Sequence, residues 1–330
     1  MSTANNFYGV DVAKAELVIA CKGEPGIVTI ANEAGAIAIW LKTLPPGSSV
    51  AMESTGRYHR LLAELATDSG CIAYVLNAKD VHFYAKAMSG RSKTDRVDAH
   101  VIARYIGEHD ELLHPWQHPE PRAAEVWDLL LRRANIVKHQ VSLRQTVKDA
   151  PSVAGASKQL DASFEALLAA IDERIEWLHK QDAQMAQASR RLQTIKGVGA
   201  QGGAMLAALF NRIPFANADA LVAYSGLDPR AQDSGQKKGR RRLSKRGPAP
   251  LRKQAYLMAF AASRSKLFKP MYQALKARGF APTQALVILA RKLLRIAFAV
   301  WKSGKPFDES AIAPKNGLTR TIEPQTAAAS

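Results

Sequence analysis

Apolar residues change period several times over the first hundred positions. Short alternating runs at Phe7–Val12, Glu16–Cys21 and Ile27–Ile30 predict three strands, the last two separated by the turn signal Gly23-Glu24-Pro25-Gly26. A helical pattern over Gly35–Leu44 stops at Pro45-Pro46-Gly47. Ser49–Met52 predicts a fourth strand, Tyr58–Thr67 a helix ending near Gly70, and Cys71–Leu76 a fifth strand. A helix over Lys79–Ala87, a Gly/Ser/Lys-rich loop at Met88–Lys93, and a helix from Thr94 or Asp95 to about Ile106 follow. Three consecutive strands, then helix–strand–helix–strand, predict a mixed α/β sheet with helices on its faces.

Pro115, Pro119 and Pro121 mark a boundary. From Ala123 to Arg191 the period is helical, with a break near Pro151–Ala156. Phe164, Leu167, Leu168, Ile171, Ile175 and Leu178 give a stripe that predicts a helical hairpin or coiled coil. A second shift comes at Leu192. Ile195-Lys196-Gly197-Val198-Gly199 joins two helical patterns, and helices over Gly202–Phe210 and Asn217–Tyr224 precede a loop at Ser225–Gly239. A basic helical region runs from about Pro250 to Lys302. The expected division is an α/β domain over 1–112, a helical region over 113–191, a mainly α domain over 192–310 and a disordered tail over 311–330.

Charge sharpens this picture. The chain has 330 residues and a net charge of +17, yet Ser234–Phe307 alone holds nineteen Lys and Arg and no Asp or Glu. The remainder is near neutral. A block of one sign on a folding segment is the electrostatic footprint of a phosphate-backbone partner; a solvated basic face or an anionic lipid surface are the other readings. Two cysteines, Cys21 and Cys71, support neither a disulfide framework nor a four-thiolate zinc site, and read as apolar strand positions in a reducing compartment. The N-terminus carries no basic-then-apolar leader. The longest apolar run, Ala285–Val300, is broken by Arg291, Lys292 and Arg295, so no membrane span is expected and the protein reads as cytoplasmic.

Four acids fall at element ends. Asp11 follows Gly9 in the first strand, Glu53 ends the fourth, and Asp95 and Asp98 stand three apart at a helix start, on one face. Converging carboxylates suit a hard cation such as Mg²⁺, with Mn²⁺ as a substitute, and metal-assisted phosphodiester cleavage. Taken singly, Asp11 also fits a turn, Asp95 a first-turn helix acid, Asp98 a partner of Arg91 or Lys93, and Glu53 a capping residue.

In the basic half, Lys196, Gly197 and Gly199 resemble a helix–hairpin–helix turn, where glycine lets backbone N–H groups approach a phosphate; a plain helix–helix turn is the simpler reading. Ser234 lies in an Asp-Ser-Gly turn just before Lys237, Lys238, Arg240, Arg241 and Arg242. Its hydroxyl suits attack on a phosphodiester if cations neutralise the phosphate and a base takes the proton, although such a serine is ordinarily a turn residue. Ser244, beside Lys245 and Arg246, is the competing serine and reads as a phosphate contact or helix cap. Arg252 completes the candidate nucleic-acid contacts.

Together these pieces resemble the insertion-sequence transposases that pair an N-terminal DEDD, RuvC-like domain with a C-terminal serine transposase domain, the bridge-RNA-guided recombinases. The matching segments are Tyr8–Lys14, Met52–Tyr58, Lys93–Ala99, Ile195–Gly199, Tyr224–Arg230, Asp233–Gly235, Leu243–Gly247, Leu251-Arg252 and Lys302–Asp308, in that order. The resemblance implies an RNase-H-like domain, a coiled-coil insert and a helical transposase domain. It assigns Asp11, Glu53, Asp95 and Asp98 to Mg²⁺ and Ser234, not Ser244, to nucleophilic attack through a covalent phosphoserine. It also implies donor and target DNA, a structured guide RNA that reads sequence by base pairing, and a homo-oligomer, dimer or tetramer, whose protomers combine the two sites. Two other functions fit the residues alone: a metal-only nuclease or junction resolvase, and a non-catalytic nucleic-acid-binding protein.

Overall fold

A computed structural model describes residues 6–54, 56–88, 95–230 and 241–312, with side chains for all of these except 95–97. The chain divides into two compact units, residues 1–120 and 121–330.

In the first unit the elements run β1 (Phe7–Val12), β2 (Glu16–Cys21), β3 (Ile27–Ala31), α1 (Ala34–Leu41), β4 (Ser49–Glu53), α2 (Arg60–Asp68), β5 (Ile72–Leu76), α3 (Ala78–Met88) and α4 (Asp95–His109). One five-stranded sheet has the order β3-β2-β1-β4-β5. The β1–β2 and β2–β3 pairs are antiparallel, whereas β4 and β5 are parallel to β1. The expected mixed sheet is thus observed. Cys71 is buried one residue before β5 rather than inside it, and Cys21 is half-buried; both are free thiols.

Strand alternation divides the sheet's two faces. Val10, Val12, Val50 and Met52 pack under α1 and α2 with Ile37, Trp40 and Leu62. Ala51, Tyr74 and Leu76 point the other way, onto Ile102 and Ile106 of α4. Gly9 lies on that second face, and α4 rests directly upon it. A Cβ there would sit 2.1 Å from the Ala103 nitrogen and 2.3 Å from the Ala99 oxygen.

The direction of α4 follows from its far end. Lys22 Nζ donates to the Gly107 carbonyl at 2.7 Å, and the Lys22 amide donates to Phe7, at the start of β1. The C-terminus of α4 therefore lies over the start of β1. Its N-terminus, with Asp95 and Asp98, lies toward the end of β1.

The second unit comprises α5 (Pro121–Thr146), α6 (Ala154–Gln181), α7 (Ala183–Gln193), α8 (Ala200–Arg212), α9 (Ala218–Ser225), β6 (Pro229–Arg230), β7 (Arg242–Leu243), α10 (Ala249–Ala262), α11 (Lys269–Ala277) and α12 (Pro282–Ser303). α5 and α6 form an antiparallel pair. Arg133–Asp172 at 2.7 Å, Arg144–Asp161 at 2.7 Å and Arg174–Glu125 at 2.7 Å mark its register. Such partly exposed pairs contribute about 0–1 kcal/mol each and select register more than stability.

The helical region expected over 113–191 and the domain expected over 192–310 share one core. It runs from Ala123 on α5 to Val300 on α12. α8 is its axis, with every residue from Gly202 to Phe210 buried. Its glycines admit close neighbours: a Cβ on Gly202 would meet Met258 Sδ at 2.7 Å, and one on Gly203 the Ser189 oxygen at 2.9 Å. Among the described residues no helix is long and apolar enough to cross a membrane.

Gly9→Ala forces either α4 off the sheet or β1 out of register, because both contacts are to backbone. Its expected cost is about 2–4 kcal/mol, read by chemical denaturation of the full chain. A second outcome concerns His179 on α6. Its Nε2 is buried without a hydrogen-bond partner among the described residues. Burial holds its pKa below the ordinary 6.5, against the pull of Asp182 and with the help of Arg190. The neutral form is favoured in the fold, so this contribution is present above pH 6.5 and lost as pH falls through the folded pKa. Thermal melts at pH 7.5 and 5.5 are expected to show a larger acid destabilisation in the wild type than in His179→Gln.

Candidate active site and nucleic-acid interface

Asp11 stands two residues beyond Gly9 and therefore on the same face of β1, the face that carries α4. Glu53 stands two beyond Ala51, on the same face of β4. The parallel register Gly9↔Ala51 and Val10↔Met52 makes Asp11 and Glu53 the next positions in line on adjacent strands. Adjacent strands lie about 4.8 Å apart.

On α4, Ala99, Ile102, Ala103 and Ile106 form the buried stripe. Asp95 is one turn before Ala99 and Asp98 one turn before Ile102, so both backbone positions extend that stripe past the sheet contact. The two advances agree in size. Gly9 to Asp11 is about 6.6 Å along a strand, and Ala99 to Asp95 about 6 Å along a helix. Asp11, Glu53 and Asp98 are each half-buried. For Asp95 only the backbone is described.

All four are hard oxygen donors of the kind that suits Mg²⁺. Among the described residues no three acids, histidines or cysteines are grouped as a metal cage. Magnesium commonly takes only one or two carboxylates, with waters and substrate phosphate completing its shell. The donor types therefore suit that ion.

In the second unit, the turn between α7 and α8 contains the predicted Lys196, Gly197 and Gly199. Gly197 has φ +95°, and a Cβ there would meet Ala262 and Met258 of α10 at 2.6 Å. Packing therefore accounts for this glycine. Gly199 has open space around it and precedes the first turn of α8, whose N–H groups face outward there. Lys196 pairs with Glu309 at 3.1 Å.

Beyond α9 the chain forms a two-stranded ribbon that periodicity alone did not predict. Pro229 pairs with Leu243 and Arg230 with Arg242. The Ser244 amide donates to the Asp228 carbonyl and the Lys245 amide to the Gly226 carbonyl, both at 3.0 Å. The Ser244 hydroxyl donates to the Asp228 carboxylate. This serine is engaged at the ribbon base.

Lys245 has φ +51°. Gly247 lies flush on the α9 terminus, where a Cβ would come within 1.6 Å of the Tyr224 oxygen. Arg252 donates to the Gly247 carbonyl, and burial pulls its guanidinium pKa down. Arg252 thus ties the turn after the ribbon to α10. Arg241, Arg242 and Arg246 are described, with Arg242 exposed on the ribbon and Arg246 half-buried in the turn after it. Ser234, Lys237, Lys238 and Arg240 lie outside the described residues, between Arg230 and Arg242 in the sequence.

Asp228 was legible as part of the Tyr224–Arg230 segment but not as the acceptor for Ser244. Glu309 gave no sequence signal, since its partner is over a hundred residues away.

Two family models of transposases match the chain. One, for DEDD transposases of the IS110 type, covers residues 8–150, and one for the IS116/IS110/IS902 transposase family covers residues 189–273. Together they span about two thirds of the sequence. The chain belongs to the IS110-type transposases, enzymes that cut and rejoin DNA. It is also similar to the pilin gene-inverting protein of Moraxella bovis, 26% identical over 320 residues that cover 93% of this chain and 98% of that protein. The pilin gene-inverting protein of Moraxella lacunata is 27% identical over 264 residues, covering 78% and 81%.

Asp228→Ala removes the acceptor for Ser244 and the carboxylate 3.8 Å from Arg230. The ribbon is expected to open more often, by about 5–30-fold for a loss of 1–2 kcal/mol. Limited proteolysis between Arg230 and Arg242 should accelerate accordingly while the melt of the first unit is unchanged.

Proposed function

We propose that this transposase cuts and rejoins DNA by a covalent serine mechanism, with Ser234 as nucleophile and Asp11, Glu53, Asp95 and Asp98 holding Mg²⁺. The observation that carries this reading is the seat of α4 on Gly9. It sets the first turn of the helix toward the ends of β1 and β4, which supports a shared site for acids from three elements. An RNase-H-like fold for the first unit accords with that five-stranded sheet.

When bound, Mg²⁺ would stabilise negative charge developing on phosphate oxygens. The chain's own residues do the rest. Asp11 and Glu53 are fixed by strand register, and Asp98 by the buried stripe of α4. Arg241 and Arg242, with Lys237, Lys238 and Arg240, hold the scissile phosphate and screen its charge from an incoming oxygen. The Ser234 oxygen forms a bond to phosphorus, the bond to the deoxyribose oxygen breaks, and that oxygen leaves as a hydroxyl. The Ser234 proton passes by way of a carboxylate of the acid set to that leaving oxygen, so the step neither gains nor loses a proton. Attack by the hydroxyl of another strand reverses these steps and restores the serine. The phosphoester bond is conserved throughout, so no nucleotide triphosphate is required.

The exposed N-terminus of α8 at Gly199 and the basic ribbon supply sequence-independent grip on phosphates. Such grip suits a protein whose target is chosen by a base-paired guide RNA. A homo-oligomer in which the acids of one protomer serve the serine loop of another accords with the chain's separation of acids and cations into two units.

Purified protein with transcribed flanking RNA and two DNA duplexes tests the reading. Asp11→Asn and Asp98→Asn should each lower cleavage at least 10²-fold. Ser234→Ala should abolish both strand exchange and the protein–DNA adduct seen on denaturing gels. Cleavage that survives Ser234→Ala without any adduct would identify a metal-only nuclease instead.

A further inference from the structure

The outer face of α12 carries a second constellation, and apart from Met271 it lies outside both family-matched segments. Ile288 and Ile296 alternate with Arg291, Lys292 and Arg295 at three- and four-residue spacing, so they share one side of the helix. After Gly304 the chain folds back along this side. Three contacts hold it there. Arg191 Nη1 donates to the Gly304 carbonyl at 3.0 Å, the Phe307 amide donates to Thr194 Oγ1 at 2.8 Å, and Lys196 pairs with Glu309 at 3.1 Å. Phe307 and Ile312 pack partly against the core and form the opposite wall. The groove between has a volume of about 810 Å³, within the usual range for ligand sites.

Its chemistry is mixed in a specific way. The floor is aliphatic and one wall is aromatic. Four cations line it, with Lys305 as the fourth, against a single carboxylate, Asp308. Asp308 is turned to its own Ser310, accepting from the amide at 2.9 Å and the hydroxyl at 2.7 Å. Arg295 is engaged by Asp219 at 2.6 Å. Among the described residues Arg291, Lys292 and Lys305 make no ion pair. Arg291 Nε is buried without a hydrogen-bond partner. Burial and the neighbouring Arg295 pull the Arg291 pKa down, while Asp219 and Asp228 oppose them. Arg291 therefore stands within electrostatic reach of Asp228 at the ribbon base.

We propose that this groove accepts one unpaired nucleotide of the bound nucleic acid, its base between the aliphatic floor and Phe307 and its flanking phosphates on Arg291, Lys292 and Lys305. The proposal rests on the reading of the chain as a strand-exchanging enzyme, whose substrates must pass through unpaired states. A paired duplex offers phosphates but keeps its apolar base faces stacked, so it satisfies the cations and leaves the floor bare. An extrahelical nucleotide satisfies both.

The test is a binding assay on the full-length protein in EDTA, which needs no cleavage. Two fluorescein-labelled duplexes are compared by anisotropy, identical except that one carries a single extrahelical nucleotide. The wild type should prefer the bulged duplex about tenfold. Ala299→Trp adds an indole at an exposed position lining the groove. It should erase the preference and leave duplex affinity unchanged. Phe307→Ala should reduce the preference in the same direction, and a matching melt controls for folding. Equal wild-type affinity for the two duplexes, or a preference that survives Ala299→Trp, overturns the proposal. So does displacement of the bulged probe by an octaglutamate peptide at lower concentration than by a mononucleotide. A wild type that binds no nucleic acid at all would instead sink the parent reading.

Discussion

The backbone of α4 touches β1 at Gly9, where no side chain intervenes, and the placement of the acids depends on that contact. A helix resting on a sheet is ordinarily held off by side chains from both surfaces. Here the glycine removes one layer, and Ala99 and Ala103 thin the other. The helix is then fixed in height and in angle at one point, and Lys22 fixes its far end through Gly107. With two fixed points, the first turn of α4 can only project past the ends of β1 and β4. Asp11 and Glu53 need no further device, because the parallel register already sets them side by side.

Charge is distributed by a related economy. The acid-free stretch does not leave all its cations uncompensated. Asp219, which precedes it, pairs with Arg295 inside it, while Asp228 and Glu309 pair with Arg230 and Lys196, two cations outside the stretch. Asp219 and Asp228 precede the basic segment in sequence yet come back to it in space, at Arg295 and Ser244. Each pair is largely exposed, so each is worth little in stability. Their effect is to choose which cations remain open to a phosphate.

Most of the first unit was legible because its short apolar runs are separated by turn signals at Gly23–Gly26, Pro45–Gly47 and Gly70. The order of the sheet was not, since nothing local says that β1 pairs with β4. Yet the signal for the site was present in the run Gly9-Val10-Asp11. A glycine two before an acid on a strand marks a face on which something approaches closely. In the second unit, helix existence was readable but the shared core was not, as α5 meets α8 only through tertiary packing. The β6–β7 ribbon has two residues per strand, too few to show a period. Gly197 was read as a phosphate-approach glycine, and the contact with Ala262 that also requires it is about sixty residues distant. The α12 groove needs a chain reversal at Gly304 that places Phe307 opposite Ile296. Ser234 and its neighbouring cations fall outside the described residues, so their assignment stands on the sequence alone.

The ribbon also acts as a tether of known length. Arg230 and Arg242 are paired, and eleven residues bridge them. Ser234 is four residues from Arg230, and a fully extended chain advances at most about 3.6 Å per residue. The serine is therefore confined within about 14 Å of the Arg230 Cα, whatever path the loop takes. On the proposed mechanism, a phosphate attacked by the serine must come within reach of that radius. Lengthening the loop with glycines would enlarge the sphere and dilute the serine within it, so reach and local concentration are set against each other by two hydrogen-bonded residues.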